Sequence, residues 1–161
     1  MTRAHDMPQP PPPKEPKPRP PTPSPAAARA DLPGYVELHC RSNFSFLTGA
    51  SHPQELVARA AQLGYAAIAI TDECSVAGVV RAHEEVKRQA ESGQRLKLIV
   101  GSEFVLEGDA GRIVLLAHDR EGYAQLCELI TRARLRSDKG RYRATLADIT
   151  DAGDGLPQCS A

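Results

Sequence analysis

The chain has no apolar run near the roughly 20 residues that span a bilayer, which argues against a membrane helix. Its N-terminus lacks the apolar stretch of a secretory signal. It has no net charge: 20 Lys and Arg balance 20 Asp and Glu across 161 residues. A global electrostatic pull toward nucleic acid or membrane is therefore excluded. It has four cysteines, Cys40, Cys74, Cys127 and Cys159, and no CxxC pair. Neither a zinc knuckle nor a thioredoxin motif is supported, and reduced thiols in the cytoplasm are expected.

Proline is abundant, but in one place. Twelve of the 14 prolines lie between Pro8 and Pro33. The stretch "PQPPPPKEPKPRPPTPSP" has no apolar periodicity and little to bury. Residues 1–33 are expected to be a disordered, polyproline-like tail. It reads either as a solvated tail or as a ligand for a proline-binding domain.

Residues 34–161 carry the fold. "YVELHC" reads as a strand. "SHPQELVARAAQLG" is a helix that Ser51 or His52 can cap, with Pro53 in its first turn and Gly64 as its stop. "YAAIAI" is a continuous apolar run that suits a covered parallel strand. A second helix is expected from about Val76 to Gln89, with Val76, Val79, Val80, His83 and Val86 on one inward face. "LKLIV" is a third buried strand, after which Gly101 is expected to turn the chain. "EFVLEGDAGRIVLLA" reads as two short strands around an Asp/Gly turn. A third helix follows from about Arg120 to Arg136, with Tyr123, Leu126, Cys127 and Ile130 inward. Alternating strands and helices predict an α/β fold built from right-handed βαβ units, as a parallel sheet or barrel. In such folds ligands sit at the carboxyl ends of the strands.

Those ends carry polar residues. The first strand ends in His39 and Arg41, the second in Asp72 and Glu73, and the third leads to Glu103. His39, Asp72, Glu73 and Glu103 are ligand types that suit Zn²⁺, Mn²⁺ or Mg²⁺. Arg41 cannot ligate a cation. It would repel a poorly solvated divalent ion by several kcal/mol at an effective dielectric of about 20.

Four segments in order, "HCRSNFSFLTGASHPQELV", "ITDECSVAGVVRAH", "VGSEF" and "REGYAQLCELITRARLRSDKGRY", resemble the PHP domain of bacterial C-family DNA polymerases. The error-prone branch of that family fits best. The resemblance implies an incomplete PHP-type (β/α) barrel. It also implies His-x-His on the first strand, Thr-Asp-His after the second and Gly-x-Glu after the third in metal-competent members. Here His39, Asp72 and Glu103 match the pattern, while Arg41 and Glu73 replace histidines. The expectation is a vestigial metal site in which Arg41 substitutes for the metal charge and pairs with Asp72, Glu73 or Glu103. The rival is a weak residual site for Zn, Mn or Mg.

The resemblance further implies damage-tolerant DNA synthesis by full-length relatives, with Mg²⁺ in a palm that this chain lacks. DNA would be met through the full-length polymerase, alongside its other domains or mutagenesis factors, with no membrane contact. No catalytic residue is expected in this chain, which reads as a fragment or truncated gene product. A metal-dependent phosphoesterase is the alternative, and an adaptor using the proline-rich tail is a weaker one.

Other residues divide between roles. Cys40 and Cys74 read as small buried fillers, with a thiolate role as the other option. His52 reads as a helix-start residue, and His118 is left open. Phe44 and Phe46 read as packing residues. The run "TRARLRSDKGRYR" suits either a phosphate backbone or partner, or a solvated helix end. With Tyr142 as its one aromatic, it does not suit base stacking.

Overall fold

The computed structural model describes residues 34–108 and 110–152. The proline-rich stretch and Cys159 lie outside the described residues. The elements run β1 (Val36–Cys40), α1 (Pro53–Gln62), β2 (Ala67–Ile70), α2 (Val79–Glu91), β3 (Lys97–Val105), β4 (Arg112–Leu116), α3 (Arg120–Leu135) and α4 (Leu146–Ala152). The sheet order is β1-β2-β3-β4. β1, β2 and β3 are parallel, and β4 returns antiparallel to β3. The fold is α/β, an incomplete (β/α) barrel rather than a sheet wrapped on both sides.

Strand alternation establishes that point. Ile68 and Ile70 pack with Val57 and Ala60 of α1 and Ala82 of α2, and Leu98 of β3 joins this cluster. Phe104 and Leu106 pack with Leu115 and with Leu126, Leu129 and Ala133 of α3. Leu98 and Phe104 stand an even number of residues apart on β3, so both helical clusters lie on one side of that strand. The other side carries Glu103. Val36 pairs with Ala67, and Ala67 with Lys97, so Val36 shares that side. Val36 and Leu38 are exposed there.

Several expectations need correction. β3 does not turn at Gly101 but continues to Val105. The reason is Thr71–Cys74, which leaves β2 and keeps pairing with β3. Glu103 N donates to Asp72 O (3.2 Å) and Cys74 N donates to Glu103 O (2.8 Å). Gly101 is still required, because a Cβ there would lie 2.7 Å from Leu115 O and 2.9 Å from Thr71 Cγ2. α2 begins at Val79, not Val76, and ends at Glu91. Its buried face is Ala82 and Glu85, while Val80 and His83 are exposed. Tyr123 is exposed as well. Phe46 does not pack: it is 83% exposed, and Phe44 is partly exposed under the Arg81 guanidinium. Pro53 opens α1, where its missing N–H costs nothing. Glu55 accepts from the His52 N–H at 2.8 Å, and Gly64 at φ +72° follows the last turn. No described helix is long and apolar enough to cross a membrane.

Candidate functional site

Three strand ends meet around one buried carboxylate. Glu103 is fully buried, yet two arginines and a histidine reach it. The Arg41 guanidinium donates through Nη2 to Oε1 at 2.5 Å and to Oε2 at 2.7 Å, and through Nε to Oε2 at 3.1 Å. Arg112 Nη1 donates to Oε1 at 2.6 Å. His39 Nε2 lies 2.5 Å from Oε2, and against a carboxylate that nitrogen is the donor. Burial pushes the Glu103 pKa up, but the hydrogen bonds from Arg41, Arg112 and His39 outweigh it. Its carboxyl sits below the ordinary range. Of the carboxylates Arg41 could have met, it takes Glu103.

Asp72 and Glu73 are held by other groups. Asp72 is fully buried. Its Oδ1 accepts from Ser42 N (2.8 Å) and Ser45 Oγ (2.7 Å), and its Oδ2 from Ser42 Oγ (2.7 Å). Ser45 Oγ also accepts from Glu73 N at 2.9 Å. Asp72 thus fastens the loop after β1 to the end of β2. A Cβ at Gly78 would lie 2.8 Å from Asp72 Oδ2, so only glycine fits over this clamp. Glu73 accepts from the Tyr142 hydroxyl at 2.9 Å, and that hydroxyl accepts from Val105 N at 2.8 Å. Burial, aided by the Glu73 carboxylate, pushes the Tyr142 phenol far up, so it is always a donor here.

This donor set does not fit a divalent ion. Both Glu103 oxygens face guanidinium, both Asp72 oxygens are filled by serine donors, and Glu73 points to Tyr142. Among the described residues no group of three or more His, Cys, Asp or Glu could hold a metal. Cys40 and Cys74 supply no thiolate, since burial pushes both thiols up to about 11. Cys40 packs against the α1–α2 cluster and Cys74 lies in the α3 cluster. His118 stays outside the cluster, 3.4 Å from Asp119.

Arg112, Tyr142, Ser42 and Ser45 escaped the sequence reading. Arg112 had a usable signal. It pairs with Val105 in the β3–β4 hairpin, two residues from Glu103, so alternation puts it on the Glu103 side. Tyr142 had none, because it reaches the site from 69 residues away.

A family model described as PHP domain matches residues 37–160. The error-prone DNA polymerase of Bordetella parapertussis is 57% identical over 142 residues, covering 82% of this chain and 13% of the relative. That of Methylococcus capsulatus is 62% identical over 127 residues, covering 79% of this chain and 11% of the relative. The chain therefore spans about an eighth of the length of the curated relatives it matches. Among solved structures, a Bifidobacterium adolescentis protein described as a metal-dependent phosphoesterase aligns at TM-score 0.48 and 26% identity, over 64% of this chain and 35% of that one.

Proposed function

Because the chain belongs to the PHP domain family, we propose that it is a non-catalytic PHP portion of an error-prone DNA polymerase. In this reading residues 34–161 form the folded part and residues 1–33 a tail. The whole protein would extend primers past damaged template in the cytoplasm, and this portion would brace the polymerase domains that follow. His39, Asp72, Glu73 and Glu103 would be the remains of a metal site, with Arg41 in place of the ion. One observation carries the reading: the Arg41 guanidinium lies on both oxygens of a fully buried glutamate, where its charge does what a cation would do.

The test is turnover. The purified chain is offered pyrophosphate and a 3′-phosphorylated oligonucleotide with added Zn²⁺, Mn²⁺ or Mg²⁺. No phosphate release is expected with any ion. Release that vanishes in both His39→Ala and Glu103→Ala would put a metal-dependent phosphoesterase in first place.

A further inference from the structure

The strand-end cluster leaves one strongly charged region unexplained. Residues 132–143, "RARLRSDKGRYR", hold six cations against one anion, a formal +5 within a chain of formal +0. Part of that charge is matched. Arg136 meets Asp148 at 2.5 Å, Arg143 meets Glu107 at 2.6 Å, and Arg132 lies 3.7 Å from Glu128. Arg134 donates to the Cys74 carbonyl, which carries no charge to offset it. Lys139 and Arg141 are exposed, and among the described residues neither side chain has a polar partner. Counting Glu107, Glu128 and Asp148 with Asp138, four anions face six cations, and the region keeps a formal +2.

The shape concentrates that excess. Gly140 sits at φ +89° and Arg141 N donates to Asp138 O at 3.0 Å, a tight turn that puts Lys139 and Arg141 on either side of its tip. Arg143 N donates to Ala133 O at 3.0 Å, which ties the turn back to α3. Beside it is a concavity of about 610 Å³ lined by Arg136, Ser137, Arg141, Tyr142 and Arg143, with Glu107 and Asp138 at its wall. Tyr142 is held in place: its ring stands roughly perpendicular to that of Phe104, centroids 6.4 Å apart, and its hydroxyl is committed to Glu73 and Val105.

We propose that the turn at residues 137–143 is a contact surface for the sugar–phosphate backbone of a nucleic acid. The free Arg141 fork suits a phosphate, and Lys139 supplies a point charge beside it. A contact made by these cations to phosphate alone is independent of base sequence. The inference rests on the charge distribution and stands whether or not the polymerase reading holds.

The experiment is fluorescence anisotropy of a labelled 20-nucleotide single strand, and of the matching duplex, with the full chain at 50, 100 and 200 mM salt. Binding should weaken about tenfold or more across that range, with a log–log slope on duplex of about −1.8 to −3.6 for two to four phosphate contacts. The variant Lys139→Gln/Arg141→Gln breaks no contact among the described residues. It should lower the slope by about 2 on duplex and weaken binding at 50 mM salt about tenfold or more. Lys87→Gln/Arg95→Gln makes the same change in charge elsewhere and should leave binding as it was. The single-strand and duplex arms identify which backbone is preferred. No binding at 50 mM salt, equal losses in both variants, or tighter binding to a polyglutamate peptide than to either nucleic acid would overturn the proposal.

Discussion

At the scale of single residues, Glu103 decides the character of the site. A buried carboxylate without partners would be neutral, but this one is held ionised by two guanidiniums and an imidazole. Removing one partner of a buried pair typically costs about 3–5 kcal/mol. Arg112 and His39 would remain, so Arg41→Ala is expected to lower unfolding free energy by about 2 kcal/mol, read from urea midpoints. The pH dependence has a definite sign. The folded Glu103 carboxyl lies below its ordinary value of 4.5, so the unfolded state takes up protons first as pH falls. Its stabilisation is complete above the ordinary value and is lost as pH drops through the lower folded one. Glu85, Asp119 and Asp148 are lowered too and act in the same direction. Urea midpoints between pH 7 and pH 3 should therefore fall more steeply for the wild type than for Glu103→Gln.

Among elements, the close approach of β2, β3 and β4 depends on Gly101. Gly101→Ala would force a methyl to within 2.7 Å of the Leu115 carbonyl and is expected to cost about 2 kcal/mol, again by urea midpoint. Tyr142 joins the basic turn to the end of β3. Tyr142→Phe leaves Val105 N and Glu73 without their hydroxyl partner, so faster amide exchange is expected at Val105 and through residues 140–145. The same elements show what could be read in advance. The start and stop of α1 were legible because Pro53 and Gly64 act locally on the backbone. The positions of His39 and Asp72 at the ends of β1 and β2 were legible because parallel strands put their carboxyl ends at one mouth. The extension of β3 past Gly101 was not, because it depends on pairing with residues 72–74 that follow a separate strand. The exposure of His83 was not either: the valines around it imply an apolar face, but α2 turns Ala82 and Glu85 inward instead. Glu85 can sit there because Arg88 and Gln89, one turn on, satisfy its carboxylate.

For the molecule as a whole, all three long helices cover one side of β3, and the opposite side is open at Val36 and Leu38 while Glu103 is buried beneath Arg41, Arg112 and His39. Leu38, at 47% exposed, and Val36 lie on the edge strand β1, and Phe46 and Leu47 stand out from the loop that follows. An edge strand with exposed apolar residues invites pairing between copies. Concentration-dependent self-association is expected by light scattering, and Leu38→Lys should reduce it without lowering the unfolding midpoint. The open side is also where a metal would enter, and so the central claim is tested there. The most direct measurement is the metal content of the chain by mass spectrometry after equilibration with Zn²⁺, Mn²⁺ or Mg²⁺ and removal of free ion. If Arg41 stands in for the ion, less than a tenth of an equivalent should remain bound. About one equivalent, lost on His39→Ala or Glu103→Ala, would contradict the account.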